Sequence, residues 1–72
     1  MKVIVTRQNS NGQYDEVGMD NRRIIEYNSR GMIVREARKF ARGVPVRIEV
    51  MDPMNMYRPA VKTFYVDDPE HA

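Results

Sequence analysis

Apolar and polar residues alternate with a period that changes along this chain, and the changes mark its elements. Residues 2–7 (KVIVTR) are rich in β-branched side chains, which suit a pleated, half-buried strand. QNSNG follows, a run of residue types that tolerate positive φ or bond their own backbone, so a hairpin returning over 13–17 is the natural continuation. Residues 18–21 break the pattern. Ile24, Ile25 and Tyr27 then make an apolar run too short to separate strand from helical turn by period, and a strand or extended approach to a helix is the expectation. Asn28 or Ser29 supplies the side-chain acceptor that a helix start needs, and Gly43 stands where a left-handed stop is wanted, so a helix is predicted over 30–42. At about 100° per residue, Ile33, Val34, Ala37, Phe40 and Ala41 share one arc of that helix, and the opposite arc holds Arg35, Arg38, Lys39 and Arg42. Gly31 and Arg30 weaken its first turn.

Period two resumes after the helix. Val44, Val46, Ile48 and Val50 alternate with Pro45, Arg47, Glu49 and Met51, the pattern of a strand with one buried face. Asp52, Pro53 and Asn55 make a turn, and 59–66 returns as another strand. Either Val61, Thr63 and Tyr65 face inward, or Phe64 and Val66 do so and take the Lys62 stem with them. The order β-β-(β)-α-β-β implies an α+β fold, a small antiparallel sheet of about four strands with the amphipathic helix packed across one face. Residues 1–66 form a single domain on this reading. Residues 67–72 (DDPEHA) have nothing to bury and are expected to form a mobile acidic tail.

A chain of 72 residues has a modest core, so stability is marginal or borrowed from self-association, and the absence of cysteine removes disulfides and cysteine-based zinc sites as staples. The apolar run in MKVIVTRQ is too short for a signal peptide's core, and no stretch is long enough for a membrane helix; a cytoplasmic protein without membrane contact is expected. Twelve Lys and Arg against ten Asp and Glu leave +2, too even a balance to demand nucleic acid.

Catalytic chemistry is hard to assemble from these residues. The single histidine, His71, falls in the tail, and no serine or threonine has an evident base beside it. Asp15, Glu16 and Asp20 around Gly18 lack the calcium-loop spacing and read as a solvated turn. The glycines stand singly and make no phosphate loop. The expectation is a protein that is not an enzyme and needs no cofactor or metal.

Binding surfaces are easier to find. Arg35, Arg38, Lys39 and Arg42, joined by Arg30 and Arg47, form a basic face suited to phosphates or to an acidic groove. The MDPMNMYRP connection gathers Met54, Met56, Tyr57 and Arg58, adaptable thioethers beside the aromatic and guanidinium types that dominate interface energetics. Its competing role is to fold back and plug the core. Arg22 and Arg23 extend the basic surface if the helix start lies near them. Sheet edges, with 61–66 the first candidate, leave room for a homodimer.

With KVIVTRQNSNGQY as a first hairpin, MIVREARKFARG as the central helix, and VPVRIEV and AVKTFYV as closing strands, the chain resembles small phage-encoded regulators. Among them are inhibitors of host RNA polymerase and anti-CRISPR proteins. The resemblance lies in topology and charged surfaces across most of the chain. It implies a non-enzymatic protein that inhibits or modulates a larger host protein or nucleoprotein assembly. The alternative is a small nucleic-acid-binding protein whose basic helix contacts the DNA or RNA backbone.

Overall fold

The computed structural model describes residues 1–14, 21–52, 54 and 62–71. Strand β1 (Lys2–Arg7) leads to β2 (Arg22–Glu26), helix α1 (Arg30–Ala41), β3 (Val46–Val50) and β4 (Lys62–Val66). The four strands form one sheet in the order β2-β1-β3-β4 with every neighbouring pair antiparallel, which is the α+β arrangement expected. β2 and β3 therefore run parallel to each other on either side of β1, and α1 connects them as a split β-α-β unit.

The helix forms where both its ends are satisfied. Ser29 Oγ accepts the Met32 N–H at 3.3 Å. At the other end Arg42, not Gly43, is the first left-handed residue, with φ of 53°, and its N–H reaches Arg38 O at 3.2 Å. Gly43 follows at φ 93°, so the stop uses two positive-φ residues in succession. Ile33, Ala37 and Ala41 are buried against Val3, Val5, Ile25, Val46, Ile48 and Val66, with Tyr27, Val34, Phe40, Val50 and Phe64 packed around them. The open choice for β4 resolves towards Phe64 and Val66, because Ile48 pairs with Phe64 and Val46 with Val66 on the helix side. Thr63 and Tyr65 consequently share the other face.

Two expectations are corrected. The partner of β1 is Arg22–Glu26, not 13–17, because β1 is flanked by β2 on one side and β3 on the other. Gln13 and Tyr14 are irregular, and 15–17 lie outside the described residues. The turn after β1 is instead closed by Asn9, whose Oδ1 accepts the N–H groups of Asn11 and Gln13 at 2.9 Å each. The acidic C-terminal segment was expected to have nothing to bury, yet Asp68 is only 6% exposed and Pro69–His71 form a 3₁₀ turn against the sheet face opposite the helix.

Candidate functional site

Arg35, Arg38, Lys39 and Arg42 are all exposed on the helix, as a strand-facing apolar arc on the opposite side requires. Their charges are not equally available. Asp67 leaves the end of β4 in a left-handed conformation, φ 60°, and its two oxygens accept Nε and Nη2 of Arg38 at 3.1 Å each. This fork holds the Asp67 carboxyl below its usual range and raises the guanidinium still further. Lys39 Nζ pairs with Glu36 one turn back, at 3.2 Å. Arg35 and Arg42 make no ion pair among the described residues.

The other two bases assigned to this surface behave differently. Arg30 lies over the Phe64 ring at 4.1 Å, beside the helix start. Arg47 alternates with the buried Val46 and Ile48, so it stands on the opposite face of the sheet, bonded to Glu49 at 3.0 Å. It cannot join the helix arc. The Arg22 and Arg23 pair is likewise split by strand alternation. Arg23 turns to the helix side and stacks on Phe40 at 4.7 Å, where Arg7 also lies, at 4.6 Å. Arg7 Nη1 approaches Phe40 O in the last helical turn, where the helix dipole favours a cation. This gathering of arginines at the helix C-terminal end was not visible in the sequence, because Arg7 is 33 residues from Phe40.

Met54 is 91% exposed, with its N–H bonded to Asp52 Oδ1 at 2.9 Å. It does not plug the core. Met56, Tyr57 and Arg58 lie outside the described residues, as do the carboxylates Asp15, Glu16 and Asp20. The Met54 connection leaves β3 at Val50, which pairs with Val3 at the sheet end where α1 begins. Arg42 is thus at the far end of α1 from Met54.

A second cluster occupies the face away from the helix. Asp68 Oδ2 accepts the Tyr14 hydroxyl at 2.5 Å and lies 2.9 Å from His71 Nδ1, while Oδ1 accepts the Glu70 N–H at 3.0 Å. These bonds, Tyr14's foremost, hold the Asp68 carboxyl below the usual carboxylate range. Desolvation, then the bond to Asp68, pushes the Tyr14 hydroxyl well above the ordinary tyrosine range. Tyr65 stacks against His71, and Tyr14 meets Tyr65 edge-on at 5.2 Å. A carboxylate orienting an imidazole is a common catalytic device. Here no hydroxyl is hydrogen-bonded to His71 other than through Asp68 among the described residues, and the chain has no cysteine.

Comparison with protein-family models, curated proteins and solved structures finds no match for this chain. Among the described residues, no group of three or more His, Cys, Asp or Glu is placed to hold a metal ion, and no helix is long and apolar enough to cross a membrane.

Proposed function

We propose that this chain is a non-enzymatic interaction protein that binds and modulates a larger protein or nucleoprotein assembly through the exposed side of α1. The observation that carries the reading is the pair of exposed cations Arg35 and Arg42, which make no ion pair among the described residues, on an arc whose other two bases are each held by an acid. The resemblance to phage-encoded regulators points the same way. Met54, standing in solvent at the end of the sheet where α1 begins, is a second contact of the adaptable apolar kind. The Tyr14–Asp68–His71 cluster serves on this reading as a clamp for the C-terminal turn.

Direct binding to nucleic acid is the weaker reading, for a quantitative reason. A helix arc that offers Arg35 and Arg42 neutralises about two phosphates, a slope of log affinity on log salt of roughly −1.8, whereas strong DNA binders make about 6–10 such contacts. An acidic protein groove is served by fewer charges, because specificity there comes from arrangement as much as from number.

Affinity capture from a nuclease-treated lysate, using the immobilised full chain, tests this. A protein retained by the wild type and lost with the double change Arg35→Glu and Arg42→Glu is the expected result, with Met54→Ser weakening retention. Micromolar binding to duplex or single-stranded DNA that weakens steeply with salt, measured by fluorescence anisotropy, would replace this reading with the nucleic-acid one.

A further inference from the structure

We infer that this protein forms a two-fold homodimer by antiparallel pairing of β2 with β2 of a second copy, centred on Ile24. No strand lies beyond β2 among the described residues, and within them one side of Arg22–Glu26 is an open edge. Which backbone groups face outward follows from the hydrogen bonds on the inner side. Met1 and Tyr27 exchange both bonds, Tyr27 N to Met1 O at 3.1 Å and Met1 N to Tyr27 O at 2.9 Å. In an antiparallel ladder the direction alternates residue by residue, so Arg23 and Ile25 also turn their N–H and C=O groups towards β1. Arg22, Ile24 and Glu26 therefore present theirs to the open side.

Those three residues are complementary to themselves. An antiparallel copy centred on Ile24 sets Ile24 opposite Ile24, and Arg22 of each copy opposite Glu26 of the other. The backbone pattern selects this same register, since all three outward-facing residues then stand in hydrogen-bonded pairs. The side chains of Arg22, Ile24 and Glu26 alternate with the buried Ile25, so they share the face away from the helix, where cross-strand neighbours touch. Ile24 is 58% exposed and is the apolar side chain that the pairing would cover. Neither Arg22 nor Glu26 makes an ion pair among the described residues.

The other edge lacks this complementarity. β4 carries its one charge, Lys62, at its first residue, its Tyr65 ring is stacked by His71, and Asp67 turns the chain away at positive φ. β4 does stand at the end of the sheet among the described residues, but the self-complementary edge is β2, not the 61–66 segment first expected to pair two copies. Because the two-fold axis of an antiparallel pair is perpendicular to the sheet, the dimer joins two four-stranded sheets into one, with both α1 helices on the same side. That arrangement doubles the basic arc facing any partner.

Two five-residue strands bury far less than the roughly 1,200 Å² of a stable interface, so the dimer is concentration-dependent, with a dissociation constant on the order of 10–100 µM. Sedimentation equilibrium of the full chain from about 1 µM to 1 mM is the test. Arg22→Glu and Glu26→Arg should each weaken association at least tenfold, and the two together should restore it, which distinguishes a broken interface from a broken fold. Hydrogen exchange adds a readout that depends on the register: the Ile24 and Glu26 amides gain protection as concentration rises, and the Arg23 and Ile25 amides do not. A chain that stays monomeric to 1 mM, or a dimer indifferent to both reversals, overturns the proposal.

Discussion

His71 lies nearly flat on Tyr65, ring centroids 3.9 Å apart and planes inclined by 22°, and Asp68 holds it there through Nδ1. The ionised carboxylate only accepts, so the proton of that bond sits on the imidazole. Tyr14 is bonded to the same oxygen from 54 residues away in sequence, so the carboxylate fastens the β1–β2 connection to the chain's last turn. Tyr14→Phe keeps the ring against Tyr65 and removes only the donor. It should lower the melting temperature by about 5 °C, a typical cost for one charge-assisted hydrogen bond in a chain of this size, measured by circular dichroism.

The same hydroxyl has a spectroscopic signature. In an alkaline titration followed by tyrosinate absorbance, one component should ionise above the ordinary tyrosine range and vanish in Tyr14→Phe. Its absence from the wild type would mean that the contact with Asp68 does not persist in solution.

Acid should loosen this end of the molecule. The carboxyls of Asp67 and Asp68 are both depressed in the folded chain, by Arg38 and by Tyr14 respectively. A depressed carboxyl contributes stability that is fully present above its unfolded value and is lost as pH falls through its lower folded value. The loss therefore lies below about pH 4. Denaturation midpoints measured from pH 6 down to pH 2 should fall in that window, and Asp67→Asn with Asp68→Asn should flatten the fall.

The helix and β3 were within reach of sequence reasoning because each is decided by spacing along the chain, whereas the inward side of β4 was left open by its alternation and is decided by its pairing with β3. Ile33, Ala37 and Ala41 recur at a helical period, and Val46, Ile48 and Val50 at a strand period, and these are the residues that meet in the core. β2 was ambiguous because Arg22–Glu26 has one buried residue, Ile25, and owes its strand form to pairing with β1. Tyr14, Asp68 and His71 could not be joined by any local pattern. The basic arc was legible as a list of exposed residues, but the neutralisation of Arg38 depends on where β4 ends, and the loss of Arg47 from the arc depends on strand register.

Thr6 offers a test of the sheet face away from the helix. It is fully buried, and its Oγ1 has no hydrogen-bond partner among the described residues. A buried hydroxyl without a partner costs about 1–3 kcal/mol relative to a methyl of the same shape. Thr6→Val should therefore stabilise the chain by about 1 kcal/mol in urea denaturation, with valine's strand preference acting in the same direction. A loss of stability would show that the hydroxyl has a partner in solution.

Arg42 is where stability and binding make opposite demands. It ends the helix with φ of 53°, a conformation that costs an L-residue with a Cβ about 1 kcal/mol and costs glycine little. Arg42 is also one of the two cations of the proposed binding arc that make no ion pair among the described residues. Arg42→Gly should raise stability by about 0.5–1 kcal/mol while weakening capture of the partner, whereas Arg35→Ala, in a helical conformation, should weaken capture with stability nearly unchanged. Melting curves and capture yields for the two variants, taken side by side, separate the roles. If Arg42→Gly is stabilised and captures as well as the wild type, the partner does not touch the helix C-terminal end, and Arg35 alone would mark the contact.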